Sequence, residues 1–327
     1  MGEQCAKWQL SRLGEQAVRQ RHQGRGMKIL LLGRGGQVGW ELQRALSVLG
    51  EVVALDFDAA YNPDGMCGDF TDLDGLARTV QQVRPDVIVN AAAHTAVDKA
   101  ESEPELARTI NALAPATLAR AATKMGAVLV HYSTDYVFDG SGSVPWKETD
   151  PTSPLSIYGQ TKLEGEQAAA STPKHLILRT SWVYATRGGN FAKTMLSLAA
   201  ERETLTVIDD QFGAPTSAEL LADVTAHALR SLQYRPELAG LYHCAAGGET
   251  SWHGYARFVL DHAQTLGQPL KAGPKQVAPV PTSSYPTPAR RPLNSRLNTT
   301  RLQTAFGLTL PHWQTGVARM LTEIAGK

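Results

Sequence analysis

The sequence predicts an α/β fold in which a doubly wound parallel sheet carries helices on both faces. Short apolar runs recur through the first half of the chain, and their residues are apolar continuously rather than alternately. Such runs are typical of strands that are covered on both faces. Helical stripes separate the runs, and a glycine-rich turn follows the first of them. The runs span residues 28–33, 52–56, 86–93, 127–134 and 175–182.

This alternation begins at Met27 and weakens after about residue 183. We therefore expect a Rossmann-type NAD(P)-binding domain over residues 27–183. Residues 184–327 are rich in Gly, Pro and Ser turn signals, which are typical of a smaller substrate-binding lobe. Segments of that lobe are expected to return to the sheet domain. Residues 1–26 lack both patterns, and we expect them to form a disordered or loosely helical extension.

The composition excludes several classes of function. The chain of 327 residues is 43% hydrophobic and 19% charged, with a net charge of +1, which is ordinary for a globular protein. Without a basic field, a nucleic-acid partner is not expected, and no apolar run of about 18 residues suggests a membrane span. The cysteines Cys5, Cys67 and Cys244 lie far apart and form neither a disulfide framework nor a metal-ligand spacing. Their pattern favours a reducing cytoplasm.

The glycines after the first run have the spacing G-x-x-G-x-x-G, at Gly33, Gly36 and Gly39. The first allows a tight turn, the second lets a pyrophosphate approach the backbone, and the third lets helix and strand pack closely. A helix that opens near Gln37 presents free N–H groups and a positive dipole end to phosphates. Taken alone, the same glycines also fit a plain strand-to-helix turn.

Acidic and aromatic residues extend this candidate cofactor site. Asp56 ends the second apolar run, where an acidic residue about 20 positions after the glycines can hold the adenosine ribose hydroxyls. Asp69 and Phe70 follow a turn and can frame the adenine edge. A carboxylate at position 56 favours NADH, whereas Arg34 within the glycine turn favours NADPH, so the sequence leaves both cofactors open.

The stretch SIYGQTK places Tyr158 and Lys162 four residues apart, on one face of a predicted helix. A phenol with a pKa near ~10 is protonated at neutral pH, and a neighbouring ammonium stabilises the phenolate that forms on donation. Such pairs are also common on helix surfaces without any function. Here, however, the fourth apolar run ends upstream in Ser133, Thr134 and Asp135. A hydroxyl at that strand end can hydrogen-bond a substrate carbonyl beside the phenol.

With these features, the chain resembles the extended short-chain dehydrogenases/reductases, a superfamily of nucleotide-sugar epimerases, dehydratases and reductases, and within it the reductases of 4-keto sugars. The resemblance covers Met27 to the C-terminus. It implies the reduction of dTDP-4-dehydro-L-rhamnose to dTDP-L-rhamnose by NADPH or NADH, the last step of activated rhamnose synthesis for bacterial surface polysaccharide. It rests on the stretches GQVGWELQRAL, RPDVIVNAAAHTAVDKAESEPELA, HYSTDYVFDG, YGQTKLEGE, RTSWVYA, NFAKTML, DDQFGAPT and RPLNSRLNT.

The resemblance also implies roles for individual residues. Tyr158 matches the proton donor, Thr134 positions the sugar carbonyl, and Lys162 holds the nicotinamide ribose. Substrate contacts are implied for Thr134, Asp135 and Trp182. The implied cofactor contacts, beside the glycines, are Gln37, Val38, Asp56, Asp69, Phe70, Ala93, His94, Thr95, Tyr132, Tyr158 and Lys162.

The C-terminal stretch RPLNSRLNT adds further candidates for the substrate site. The guanidinium fork of Arg291 suits a diphosphate, and Asn294 can bind sugar or phosphate oxygens. For either residue, a local role in a turn is an equally open interpretation. The stretch QFGAPT at 211–216 is expected to form a loop that walls the nucleotide.

Some members of the resembled group are described as magnesium-dependent, through glutamates at a contact between two subunits, and a homodimer is possible here. Glu41 and Glu219 match two of those glutamates, but the third position falls near Thr300. Because the set is incomplete, the sequence favours a site without Mg²⁺ and leaves metal dependence open.

Two rival functions remain on the same scaffold. A dehydratase generally follows the strand-end Thr with Asp-Glu, whereas Asp135 is followed by Tyr136. A non-catalytic binding subunit would be favoured by the loss of Thr134, Tyr158 or Lys162, and all three are present.

Overall fold

Six parallel strands form the central sheet of the computed structural model, which describes residues 26–326. The expectation for the N-terminal extension therefore lies outside the described residues, except for Gly26. The strands of this sheet are β1 (Met27–Leu32), β2 (Gly50–Leu55), β3 (Val87–Asn90), β4 (Val128–Thr134), β5 (His175–Thr180) and β10 (Gly240–His243).

The spatial order of the sheet is β10-β5-β4-β3-β1-β2, and every neighbouring pair is parallel. The chain runs from β1 outward to β2 and then crosses back to β3, so the order reverses beside β1. In open α/β sheets, ligands bind outside the carboxyl ends of the strands at such a reversal. The predicted doubly wound α/β sheet is confirmed.

Helices cover both faces of the sheet. The helices of the described chain are α1 (Gln37–Ser47), α2 (Leu73–Val83), α3 (Val97–Ser102), α4 (Pro104–Arg108), α5 (Ala114–Met125), α6 (Ile157–Ala170), α7 (Phe191–Glu201), α8 (Ala218–Leu232), α9 (Trp252–Thr265), α10 (Thr300–Phe306) and α11 (Trp313–Ile324). A π-helical turn at Thr109–Leu113 joins α4 to α5.

The apolar side chains of the sheet alternate between two buried clusters. On one face, Ile29 and Leu31 pack with Leu42 of α1 and Leu221 of α8. On the other face, residues such as Leu30 pack with α2, α5 and α6. Because both faces are covered, the strands read as continuous apolar runs in the sequence.

A third buried cluster, around Tyr255 and Trp313, forms the core of the lobe. It joins α7, α9 and α11 to short two-stranded pairings. These pairings are β6 (Val183–Tyr184) with β9 (Thr216–Ser217), β7 (Leu205–Ile208) with β12 (Val277–Val280), and β8 (Phe212–Gly213) with β11 (Thr250–Ser251).

Strand β10 and helix α8 belong to the sheet domain although both lie beyond residue 183. The pairing of β10 with β5 extends the sheet by one strand, and α8 packs on α1. The sequence did not reveal this strand, because its stretch GLYH begins with Gly and ends with His and so is not a continuous apolar run. The division between residues 183 and 184 remains a prediction. Among residues 26–326, no helix combines the length and the apolar character that crossing a membrane requires.

Candidate active site

A cavity of about 1200 Å³ opens at the carboxyl ends of the central strands. Its wall includes residues that directly follow β1, β3, β4 and β5, together with Trp252 from the lobe. A pocket for one small molecule typically has roughly 300–1,000 Å³. The cavity therefore has room for a cofactor and a substrate side by side.

The glycine turn connects β1 to α1 at the floor of this cavity. Gly33 adopts a φ of 84°, and a methyl group there would lie 2.7 Å from the backbone nitrogen of Ala92. A methyl group at Gly39 would overlap the carbonyl oxygen of Gly33. The two glycines thus bring helix, turn and the neighbouring β3 loop closer together than any other residue allows.

Helix α1 begins directly behind this turn with its first N–H groups open to the cavity. Its N-cap residue, Gly36, provides no side-chain cap, and the first turn holds no acidic residue. Gln37 and Val38 line the cavity at this point. Uncapped N–H groups and the positive end of the helix dipole form an anion site. A plain turn does not require this opening, whereas the pyrophosphate of NAD(P)H fits it.

The candidate ribose site lies beside the turn. Asp56 follows β2, and a methyl group at Gly35 would overlap its carboxylate oxygen Oδ2, so the carboxylate rests against the glycine turn. The guanidinium of Arg34 lies over the ring of Tyr61, 6.0 Å from its centroid. Asp56 and Tyr61 both line the cavity. The negative carboxylate of Asp56 and the positive guanidinium of Arg34 therefore flank the same region, in agreement with a site for either cofactor.

Helix α6 is anchored so that its first turn faces the cavity. The hydroxyl of Ser156 accepts the N–H of Gly159 at 3.2 Å, which caps the helix. A methyl group at Gly159 would overlap the carbonyl oxygen of Tyr136, so the helix abuts the chain that leaves β4. This contact sets Tyr158 next to the end of β4.

Lys162 lies one turn further along α6, and its side chain is fully enclosed. Its Nζ donates to the backbone carbonyl of Tyr132 at 2.6 Å. Burial lowers the pKa of Lys162 to about 8, against the opposing effect of Glu166. The hydroxyl of Tyr132 pairs with Thr225 at 2.6 Å. It is therefore the carbonyl of Tyr132, rather than its phenol, that holds Lys162.

Tyr158 is held as a neutral phenol. Burial raises its pKa to about 12, while a hydrogen bond with Thr134 lowers the pKa and the charge of Asp135 raises it. That Lys162 eases ionisation of this phenol stays a prediction; burial is the largest effect on the pKa of Tyr158 in the structure. At neutral pH the phenol keeps its proton, and a neutral phenol beside a hydroxyl can donate that proton to a carbonyl oxygen.

Asp135 directly follows Thr134 in the chain, and its carboxyl group contacts the Thr134 hydroxyl. It is buried, and the hydroxyl of Thr134 donates to its Oδ1 at 3.0 Å. Burial raises the pKa of Asp135 to about 6, while the hydroxyls of Ser295 and Thr134 lower it. The carboxyl group thus fixes the orientation of the Thr134 hydroxyl.

Two tryptophans form an aromatic wall of the cavity, one shortly after β5 and one at the start of α9. The rings of Trp182 and Trp252 stack with centroids 3.7 Å apart and planes 15° from parallel. Trp182 has a left-handed φ of 50°, which is unusual for a bulky residue. The indole Nε1 of Trp252 donates to Gln211 at 3.1 Å, so the QFGAPT loop supports the wall. Sequence reasoning missed Trp252 because its partner lies far away along the chain.

The structure brings most of the predicted site residues together on this cavity. It lies around Gly33, Gly36, Gln37, Val38, Asp56, Asp69, Phe70, Ala93, Thr95, Tyr132, Thr134, Asp135, Tyr158, Lys162 and Trp182. Gly39 lies outside the wall, packed behind Gly33. The side chain of His94 also lies outside it, with Nε2 at 3.6 Å from a Glu103 carboxylate oxygen.

The C-terminal candidates Arg291 and Asn294 do not line the cavity. The Arg291 fork is occupied by Asp98, with nitrogen–oxygen distances of 3.1 and 2.7 Å. Asn294 is buried, and its amide donates to the backbone carbonyls of Ser141 and Val144 at 3.2 and 2.9 Å. Substrate contact by either residue stays a prediction, while the geometry assigns both a partner within the protein.

The candidate metal glutamates do not form a compact site. Glu219 pairs with Arg319 at 3.2 Å. Its pKa is raised by burial first, and Glu41 and Glu323 add to this effect. The third nearby carboxylate is thus Glu323, and not a residue near Thr300. Among the described residues, no three side chains of the metal-binding types are grouped closely enough to hold an ion.

Comparison with known proteins agrees with this geometry. The family model described as the RmlD substrate binding domain matches residues 27–325. The dTDP-4-dehydrorhamnose reductase of Salmonella typhimurium is 60% identical over 299 residues, which cover 91% of this chain and 98% of that protein. The enzyme of the same name from Burkholderia thailandensis is 46% identical over 303 residues, with coverages of 91% and 99%.

Solved structures agree as well. A dTDP-4-dehydrorhamnose reductase from Clostridium acetobutylicum superposes with a TM-score of 0.82 at 36% identity, covering 91% of this chain and 99% of that one. The Bacillus anthracis reductase, solved in complex with NADP, gives a TM-score of 0.80 at 33% identity with the same coverages. A Thermus thermophilus UDP-glucose 4-epimerase, at 22% identity and a TM-score of 0.75, shares the fold.

Proposed function

Because this chain belongs to the RmlD family of dTDP-4-dehydrorhamnose reductases, we propose that it reduces the C4 keto group of dTDP-4-dehydro-β-L-rhamnose to give dTDP-β-L-rhamnose. The reductant is NADPH or NADH. The observation that carries the proposal is the convergence of Tyr158, Thr134 and Lys162 in one cavity with the open N-terminus of α1. A hydride acceptor and a nicotinamide cofactor must meet at such a place.

The chain's own residues divide the work of the reaction. When bound, the cofactor supplies the hydride that reduces C4 of the sugar. The open N–H groups of α1 bind the pyrophosphate, and Asp56 accepts from the adenosine ribose. Lys162, fixed by the Tyr132 carbonyl, binds the nicotinamide ribose.

Proton donation falls to Tyr158. Its raised pKa keeps the proton on the phenol until the C4 oxygen gains negative charge. The hydroxyl of Thr134 donates to Asp135 in the structure, and on substrate binding it turns that proton to the same C4 oxygen and holds the carbonyl in line. The stacked rings of Trp182 and Trp252 line the same cavity and give its wall an apolar surface.

Several broader features belong to the same proposal. The product would supply activated rhamnose for surface polysaccharide such as lipopolysaccharide, and the enzyme would work in the cytoplasm, in keeping with the free thiols of Cys67 and Cys244.

A homodimer would use the surface of α1, where Trp40 is 47% exposed and Val48, just beyond the helix, is 84% exposed. Light scattering of the purified chain measures that state.

The test is a reaction of the purified chain with dTDP-4-dehydro-L-rhamnose, with NADPH and NADH offered separately. We expect oxidation of the cofactor in equal amount to the sugar, and dTDP-L-rhamnose as the product identified by NMR. No oxidation with either cofactor would favour a dehydratase or a binding subunit instead. Oxidation with a different product would overturn the substrate and leave the reductase chemistry intact.

A further inference from the structure

A chain of contacts that the reaction itself does not use lies directly behind Tyr158. It starts at Asp98 on α3, whose carboxylate accepts both arms of the Arg291 guanidinium, at 3.1 and 2.7 Å. The same carboxylate accepts the backbone N–H of Ala289 at 3.2 Å. Three donors from one loop therefore converge on Asp98, which ties the C-terminal segment to the sheet domain.

Arg291 also interacts with Tyr136, the residue whose carbonyl packs against Gly159 of α6. Burial lowers the pKa of the Arg291 guanidinium, but its neighbours Asp98 and Tyr136 raise it by more. Burial raises the pKa of Tyr136, so its phenol stays neutral beside the guanidinium. The ring of Tyr136 meets the ring of Tyr158 edge to face, with centroids 5.4 Å apart and planes at 80°. Such a T-shaped contact fixes the relative tilt of the two rings.

Helix α3 makes a second contact with the same region. Glu101, one turn after Asp98, accepts the backbone N–H of Ile157 at 2.9 Å. Ile157 is the first residue of α6 and directly precedes Tyr158. The two carboxylates of α3 thus hold the start of the catalytic helix and the arginine that faces Tyr136.

We propose that Arg291 is a positioning residue: held by Asp98, it fixes Tyr136 against Tyr158 and so keeps the Tyr158 phenol aimed at the Thr134 hydroxyl. This inference rests on the proposed reductase activity. The competing role for Arg291 is direct binding of the substrate diphosphate by its guanidinium fork. In that role Asp98 would compete with the substrate, whereas in the positioning role Asp98 is required.

The two roles predict opposite effects of Asp98→Asn. With the positioning role, Asp98→Asn and Arg291→Gln each lower kcat about 10- to 100-fold, because misplacing a reacting group by about 1 Å can reduce the rate 100-fold. The KM for the sugar nucleotide stays within about twofold. Arg291→Lys, which keeps the charge but not the fork, rescues little. The double variant is no slower than the slower single variant, because both substitutions break one unit.

Glu249→Gln is the matched control, because it removes the carboxylate partner of another arginine of the same segment, Arg296, at 2.6 Å. It leaves kcat unchanged. Titration of NADPH binding and the thermal unfolding midpoint show that each variant is folded and binds cofactor.

An Asp98→Asn variant with unchanged kcat overturns the positioning role. So does a lower KM in that variant combined with a higher KM in Arg291→Gln, which assigns the fork to the diphosphate. A wild-type chain without turnover overturns the proposed function instead, and the positioning role falls with it.

Discussion

The two rims of the cavity are built in different ways. The sheet rim consists of residues that are close in sequence: the glycine turn runs from Gly33 to Val38, and Tyr158 and Lys162 lie one helical turn apart. The lobe rim depends on distant pairs such as the stacked rings of Trp182 and Trp252, and the Arg291–Asp98 contact behind it joins residues 193 positions apart. Local spacing therefore determines one rim, and tertiary pairing determines the other.

The two rims also differ in how their polar groups are used. On the sheet rim, the N–H groups at the start of α1 have no side-chain cap. Behind the lobe rim, the fork of Arg291 and the amide of Asn294 bind groups of the protein. We infer that the sheet rim binds the cofactor and performs the chemistry, while the segments behind the lobe rim hold the site in shape.

If the sheet rim performs the chemistry, the substitution with the largest effect on turnover should be Tyr158→Phe. Removal of the hydroxyl deletes the proton donor, and general acid catalysis typically contributes about 100- to 10,000-fold. We expect turnover to fall by that factor, measured as cofactor oxidation under saturating substrate. NADPH binding, measured by fluorescence titration, should persist because the ring and Lys162 remain. A variant with full turnover would remove Tyr158 from its assigned role.

Gly39→Ala tests the sheet rim at a residue that does not line the cavity. The added methyl group would overlap the Gly33 carbonyl oxygen, and the helix must move away from the turn. Overpacking of this kind costs about 1–3 kcal/mol of folding stability. Because the displaced helix no longer presents its N–H groups at the same place, we also expect NADPH affinity to fall about tenfold or more. A tenfold loss corresponds to ~1.4 kcal/mol of binding free energy.

The control for this variant is Gly189→Ala, at a position where no atom lies within 4 Å of the added methyl group. Its affinity for NADPH should equal that of the unaltered chain. If Gly39→Ala binds NADPH equally well, close packing of α1 on the turn is not what forms the pyrophosphate site.

The same contrast explains what the sequence could predict. The strands β1 to β5 and the glycine turn follow from continuous apolar runs and from glycine spacing, because each is a local property. Strand β10 and Trp252 could not be found in this way, since the stretch GLYH is not a continuous apolar run and a single ring gains its meaning from a distant partner. Arg291 shows the limit most clearly: its chemistry suits a diphosphate, and only the fold reveals that Asp98 occupies the fork.

Asn294→Ala sharpens the comparison from the side of the lobe. The substitution removes two hydrogen bonds from the buried Asn294 amide to the backbone carbonyls of Ser141 and Val144, which lie on an exposed loop that water can reach. Each such bond contributes about 0.5–1.5 kcal/mol net, so the two together contribute about 1–3 kcal/mol. We expect the free energy of unfolding in urea to fall by about that amount, and the KM for the sugar nucleotide to stay unchanged. An increased KM at unchanged stability would return Asn294 to the substrate site.

The last effect concerns Asp135, which directly follows Thr134 at the end of β4. Burial raises the pKa of this carboxyl from 3.8 to about 6. Between these values the folded state binds more protons than the unfolded state, so this group's contribution to stability falls as pH rises from about 4 to about 6. One proton limits the slope to about 1.4 kcal/mol per pH unit.

Asp135→Asn removes this titration and keeps an acceptor for the Thr134 hydroxyl. The variant should therefore gain stability relative to the unaltered chain as pH rises through that window, with a constant difference above about pH 6. Urea unfolding at several pH values measures the difference, in which the contributions of all other carboxylates cancel. A difference that does not change with pH would show that Asp135 titrates alike in both states. The Thr134 hydroxyl would then be oriented by a carboxylate that stays charged throughout, and the sheet rim would carry a fixed negative charge beneath its proton donor.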